Sequence, residues 1–224
     1  MPTPNLAATF DHTLLRPDCT DAQITQLCQE ARQHGFASAC VPPCHVPLAA
    51  RELNGSGVAV CTVIGFPLGY NSSRVKFKEA EIALAEGATE IDLVLNVSLL
   101  KSGSLDAVKA EVEDIADLCD VHDALLKVII ETALLTEEEM ETSARLCAEA
   151  GANFVKTSTG FASRGASVAD VELLRRVLPA SVRIKASGGI RTREQALALL
   201  AAGADRLGTS NSLAILQEDE STPS

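Results

Sequence analysis

Three charged residues interrupt runs that are otherwise apolar: Lys156 in Phe154-Val155-Lys156-Thr157-Ser158, Lys185 in Arg183-Ile184-Lys185-Ala186-Ser187, and Asp92 in Glu90-Ile91-Asp92-Leu93-Val94-Leu95. Each run reads as a buried strand, in which side chains alternate between two faces. Ile91, Leu93 and Leu95 share one face and Asp92 takes the other; Ile184 and Ala186 likewise leave Lys185 on the opposite face, and Val155 leaves Lys156. A solitary strand lysine is ordinarily an edge residue facing water, and one Asp-Lys pair is ordinarily a structural salt bridge. Two lysines and one aspartate on interior faces leave a surplus ammonium, which is costly to bury. Desolvation and like charge both favour the neutral amine, which is a nucleophile towards carbonyls. The trio therefore points to Schiff-base chemistry. Lys127 also falls on a strand, near its start, and is expected deeper, as a supporting cation.

The elements that must position these residues repeat along the chain. Strand patterns fall at 8–13, 36–41, 58–65, 90–96, 125–131, 153–158, 182–187 and 205–209, with helical periodicity between them. Thr20 with Gln23, Thr136 with Glu139 and Thr192 with Gln195 fit the capping box that opens a helix. Gly35, Gly87, Gly151 and Gly203 each follow a helical pattern and precede a strand, where positive φ suits a helix end. Eight strand-helix units with no linker predict one domain, a (β/α)8 TIM barrel over 1–216, followed by a polar, disordered tail at 217–224. A doubly wound open sheet is the alternative, but no GxGxxG follows the first strand. Active sites of such barrels lie at the carboxyl ends of the strands, where Lys156, Lys185 and Asp92 converge.

The two loops after strands seven and eight carry a second signal. Ser187-Gly188-Gly189 and Gly208-Thr209-Ser210-Asn211 offer bare backbone N-H groups where these barrels bind phosphate. Composition narrows the partners further. A net charge of -11 argues against nucleic acid and anionic membrane surfaces. No apolar run is long enough for a membrane span, and the N-terminus Met1-Pro2-Thr3-Pro4 lacks a basic region before an apolar one, so a cytoplasmic location is expected. The seven cysteines contain no CxxC and read as reduced core thiols. Cys40, Cys44 and His45 form a conceivable metal corner without a second half-site, and the four histidines are scattered, so no metal is expected.

These segments resemble the deoxyribose-phosphate aldolases of the shorter bacterial type. The resemblance runs through Asp11-His12-Thr13-Leu14-Leu15, Gly65-Phe66-Pro67-Leu68-Gly69, Glu90-Ile91-Asp92, Lys127-Val128-Ile129-Ile130-Glu131-Thr132, Lys156-Thr157-Ser158-Thr159-Gly160, Ser187-Gly188-Gly189-Ile190-Arg191-Thr192 and Gly208-Thr209-Ser210. It implies a class I aldolase without cofactor that cleaves 2-deoxy-D-ribose 5-phosphate into acetaldehyde and D-glyceraldehyde 3-phosphate, and a possible homodimer. By the same resemblance Lys156 is the Schiff-base lysine, Lys185 its proton-shuttling neighbour and Asp92 the proton donor and acceptor. Asp11 and Thr13 are implied near the sugar hydroxyls, and Thr159, Gly188, Gly189, Gly208 and Ser210 around the phosphate. Two positions depart from the pattern. Phe161 stands where some relatives carry a phosphate-holding lysine, with Arg164 the nearest replacement, and the tail lacks the terminal tyrosine of some relatives.

Overall fold

The computed structural model describes residues 5–218. Eight parallel strands close into a barrel in chain order: β1 (Phe10–Thr13), β2 (Ser38–Val41), β3 (Ala59–Ile64), β4 (Glu90–Val94), β5 (Leu125–Ile129), β6 (Phe154–Lys156), β7 (Arg183–Ser187) and β8 (Arg206–Thr209). Around them run the helices α1 (Asp21–His34), α2 (Val46–Leu53), α3 (Ser73–Ala85), α4 (Val97–Lys101), α5 (Leu105–Val121), α6 (Glu137–Glu149), α7 (Val168–Val177), α8 (Arg193–Ala201) and α9 (Ser212–Gln217). The chain is a single (β/α)8 TIM barrel. Gln217 closes α9 and Glu218 accepts a hydrogen bond from Arg193 N at 2.6 Å; the rest of the expected tail lies outside the described residues.

Local chemistry accounts for where the elements begin and end. All three capping boxes form: Thr20, Thr136 and Thr192 each accept from the amide three residues on, and the Gln or Glu there reaches back to the capping residue's own amide. Each cap satisfies orphan N-H groups and contributes about 1 kcal/mol. At the other ends Gly35, Gly87, Gly151 and Gly203 all take positive φ. The strands are one to three residues shorter than their patterns, β6 keeping only Phe154–Lys156 of 153–158. Leu6–Thr9 forms a turn of 3-10 helix ahead of β1, and the connection after β4 splits into α4 and α5 at Gly103, whose φ of 75° ends α4. Asn96 opens α4 by accepting from Leu99 N at 3.2 Å.

The strand alternation divides the molecule into two cores. Outward residues such as Ile91, Leu93, Leu126, Val128, Val155, Ile184 and Ala186 are fully buried against the helices and supply the main apolar core. Inward residues are largely polar. Register sets them side by side: Asp92 lies opposite Lys127, Lys156 opposite Lys185, and Lys185 opposite Arg206. Phe154, two residues below Lys156 on the same face, closes the barrel beneath the charges, with the Arg183 guanidinium 4.0 Å and that of Arg206 5.8 Å from its ring centre.

Candidate active site

Asp92 is the hub of the interior. Its Oδ2 accepts from Lys156 Nζ and from Lys185 Nζ, both at 2.7 Å, and its Oδ1 accepts from Lys127 Nζ at 2.7 Å. The three residues that sequence parity sent inward therefore meet at one carboxylate. Lys127 sits deeper, as its place on the strand implied, and pairs also with Glu90 Oε2 at 2.7 Å. Lys185 has a second carboxylate in Asp11, at 2.5 Å. Arg206 completes the network through Asp11 Oδ1 at 2.7 Å and both oxygens of Glu90 at 2.9 and 2.8 Å.

This network changes the expected electrostatics. The surplus is still one positive charge, but it is shared among four cations, Lys127, Lys156, Lys185 and Arg206, that face three carboxylates, Asp92, Asp11 and Glu90. Burial pulls the Lys185 pKa down, but Asp11 and Asp92 outweigh it, and the pKa is raised. Lys127 follows the same course: burial opposes its charge, and Asp92, Cys61, Glu90 and Asp11 carry it well above the ordinary lysine value. Both are fixed cations, not the free amines that desolvation alone favours. Burial pushes Asp92 upward, and Lys127, Lys156 and Lys185 together hold it well below the ordinary carboxylate value. The sequence contained the missing signal: Glu90 is two residues from Asp92 and so shares its face, and Arg206 shares the inward face of Gly208.

Above the network opens a cleft of about 270 Å³ at the carboxyl ends of the strands, lined by Thr13, Arg16, Lys156, Thr159, Phe161, Ser187, Gly188, Gly189, Arg191, Gly208, Ser210 and their neighbours. Lys156 lines it; Lys185, Lys127 and Asp92 lie below. Most of the residues implied around a substrate are brought to this cleft. Asp11 is not among them: it is fully buried beneath, held by Lys185 and Arg206. The amides of Gly160, Gly188, Gly189 and Ser210 have no acceptor among the described residues, so this side of the cleft presents free donors. Phe161 packs edge-on against Phe66 with ring centres 5.2 Å apart. Arg164 does not turn into the cleft. It is tied to Asp170 and donates to Thr132 O at 3.1 Å, so the cations on the rim are Arg16 and Arg191.

The loops are held by close backbone contact and by a carboxylate that sequence reasoning passed over. Gly165 lies against Gly188, where an added Cβ would fall 2.0 Å from the Gly188 carbonyl oxygen. Ala166 N donates to the carbonyls of Ser187 and Gly188 at 3.0 and 3.1 Å. Glu131, just beyond β5, is buried and holds a left-handed backbone at φ 55°, a conformation that costs a non-glycine residue energy. Its Oε2 accepts from Thr159 N at 3.2 Å and from the Thr159 hydroxyl, fixing the residue that follows the Lys156 strand. Such a strained backbone leaves no signature in the sequence.

A closed parallel barrel with a lysine and carboxylate cluster beneath a cleft at its strand ends defines a TIM-barrel enzyme. The chain belongs to the DeoC/LacD family of aldolases, whose model matches residues 6–218. It is 50% identical over 215 residues to a deoxyribose-phosphate aldolase of Thermoanaerobacter sp. (strain X514), covering 96% of both chains, and 50% identical over 220 residues to one of Brevibacillus brevis, covering 98% of this chain and 99% of that one. Among solved structures, it resembles an aldolase called QR15 with TM-score 0.91 and 40% identity, over 97% of both chains. The deoxyribose phosphate aldolase of Aeropyrum pernix, described as a unique tetramer, matches with TM-score 0.92 and 36% identity over 99% of this chain and 94% of that one. The protein is an aldolase, a carbon-carbon lyase.

Proposed function

We propose that this aldolase cleaves 2-deoxy-D-ribose 5-phosphate reversibly into acetaldehyde and D-glyceraldehyde 3-phosphate through a Schiff base on Lys156. The observation that carries the assignment is the depth of the lysines: of the three that meet at Asp92, Lys156 lines the cleft, while Lys185 and Lys127 are sealed below and paired with two or more carboxylates. A carbonyl entering from the cleft meets Lys156 first. Its amine adds to C1 of the open-chain sugar, water leaves, and the iminium accepts the electron pair of the C2–C3 bond as the C3 hydroxyl loses its proton. Glyceraldehyde phosphate departs, the enamine takes a proton at C2, and water releases acetaldehyde from Lys156.

Asp92 is the group that accepts the proton Lys156 must give up, and a water in the cleft extends its reach to the substrate. Lys185, a cation held at 2.7 Å from the same carboxylate oxygen, keeps Asp92 anionic at rest and relays the proton, passing one of its own on as it takes up the one Asp92 received. The free amides of Gly188, Gly189 and Ser210, with Gly208 and Thr159 beside them, suit the phosphate, and Arg191 and Arg16 add charge at the rim. Thr13 faces the same cleft and serves the sugar hydroxyls. Asp11 acts from beneath, by pairing with Lys185. The iminium is the electron sink, so the reading requires no metal, and turnover should persist in a chelator. Self-association as a homodimer and a cytoplasmic location belong to the same reading. Exposed Leu68, Tyr70, Val75 and Ile82 offer apolar surface for the former, and seven free cysteines suit the latter.

The deciding experiment is reductive trapping. Acetaldehyde with borohydride should leave one ethyl group on Lys156, located by peptide mapping. An ethyl group chiefly on Lys185 would reverse the two roles. No site-selective adduct would favour a sugar-phosphate binding protein on the same barrel, and a reaction with other donors but not acetaldehyde would favour another Schiff-base aldolase or a transaldolase.

A further inference from the structure

Two thiols lie directly under the reacting groups, and the mechanism uses neither. Cys40 on β2 and Cys61 on β3 are partners in the strand register, both point into the barrel, and both are fully buried. Cys61 Sγ donates to Asp92 Oδ1 at 3.2 Å and receives a hydrogen bond from Lys127 Nζ, also at 3.2 Å. The Cys40 and Cys61 sulfurs and an Asp92 oxygen all fall within 4.8 Å of one another. We propose that Cys40, Cys61 and Asp92 form an inhibitory site for a thiophilic divalent cation such as Zn²⁺ or Cd²⁺, which closes the enzyme by taking Asp92 as a ligand.

The dimensions fit. Metal-sulfur bonds of about 2.3 Å and metal-oxygen bonds of about 2.1 Å in a tetrahedron place neighbouring ligand atoms about 3.5 to 3.8 Å apart, close to the 3.2 Å already present between Cys61 Sγ and Asp92 Oδ1. The charge balance fits as well. A dication beside Lys127, Lys156, Lys185 and Arg206 would ordinarily be repelled. Here two S-H bonds break, two protons go to solvent and two metal-sulfur bonds form, with no electron transferred, so the inserted metal-dithiolate unit is neutral. The cluster charge is unchanged. Lys127 gives up Asp92 Oδ1 and keeps Glu90 at 2.7 Å. Entry is from the cleft past Leu15, which lines it and, with Phe66, packs on the cysteine pair as a partly buried side chain.

The test uses the whole protein, reduced and then freed of thiol, with Cd²⁺ as probe. Titration should give a near-ultraviolet thiolate-to-cadmium absorption that saturates at one ion per chain. Turnover should fall in parallel by about 100-fold, the scale on which proton-transfer groups act, and return on adding a chelator. The absorption needs no substrate, so it tests the site even if the deoxyribose phosphate reading fails. Cys19 and Cys44, which lie at or near the surface, are controlled by the double variant Cys19→Ser, Cys44→Ser, which should behave as the unmodified chain. Cys61→Val and Cys40→Val, each compared with its own chelator-treated rate, should lose both the absorption and the inhibition. Cys61→Ser, closer in size, serves if the valine disturbs folding. Absorption and inhibition that survive at full strength in either single variant, or an absorption lost in the surface double variant, would overturn the assignment.

Discussion

At Asp92 the energetic role and the proposed catalytic role of one side chain cannot be separated by a simple deletion. Its two oxygens serve different donors, Oδ1 for Lys127 and Oδ2 for Lys156 and Lys185. Asp92→Asn keeps one acceptor oxygen and turns an amide towards ammonium groups on the other side. Turnover should fall by about 10²- to 10⁴-fold, the usual worth of a general acid-base group. Stability should also fall, by about 3 to 5 kcal/mol, as when one partner of a buried ion pair is removed. Rates are therefore compared below the variant's own melting transition, with circular dichroism as the check. A variant that turns over normally would make Asp92 a structural counter-ion only. A variant that loses turnover with an unchanged melting temperature would mean that the lysines do not depend on Asp92 for their burial. Parity of side chains on the strands made Asp92, Lys156, Lys185 and the deeper Lys127 legible in the sequence. The same rule reached Glu90 and Arg206, but they are the first residues of their strands, where a charge is ordinarily read as a solvated end. Lys76 was not legible at all. It sits in the first turn of α3, pairs with Glu111 at 2.6 Å and donates to Val94 O at 2.9 Å, a buried lysine whose contacts are structural.

Between elements, the cleft depends on how closely two loops approach. The loop from β6 to α7 carries Thr159, Gly160 and Phe161; the loop from β7 to α8 carries Gly188, Gly189 and Arg191. They touch at Gly165 and Gly188, and Glu131 pins the first from the side of β5. The three capping boxes and the four helix-ending glycines were legible because each is a local event within a few residues. The meeting of Gly165 with Gly188 was not, since it joins two loops and depends on the full curvature of the barrel. Gly165→Ala should wedge these loops apart. The barrel itself should lose only about 1 to 3 kcal/mol, the cost of overpacking at one site. The KM for 2-deoxyribose 5-phosphate should rise markedly, while kcat/KM for unphosphorylated 2-deoxyribose changes little, because in the proposed function the phosphate is what these amides hold. Equal losses on both substrates would show instead that the wedge reaches Lys156, and would separate the loop contact from phosphate binding.

For the whole molecule, two electrostatic effects pull stability in opposite directions as pH falls. The chain carries a net charge of -11, and self-repulsion relaxes as the pH approaches the sequence pI of about 4.8. The interior cluster acts the other way. Asp92 and Asp11 both have pKa values depressed below the ordinary 3.8 despite burial, which alone would raise them: Lys127, Lys156 and Lys185 hold Asp92 down, and Lys185, Lys127 and Arg206 hold Asp11 down. In such a case the unfolded chain binds the proton first, so the stability these groups contribute is present above about pH 4 and is lost as pH falls through their folded values. The cations set a matching limit at high pH. Lys185 and Lys127 are raised above 10.5, so their contribution is intact below that value and is lost as pH climbs past it. Melting temperature should thus hold or rise slightly from pH 7 to pH 5 and drop steeply below about pH 4. Salt distinguishes the two sources, since at about 1 M the Debye length is near 3 Å and surface repulsion is screened while buried pairs are not. High salt should raise the melting temperature at pH 7 and leave the acid drop in place; an acid drop that disappears in high salt would assign it to surface charge and not to the carboxylates buried among the lysines.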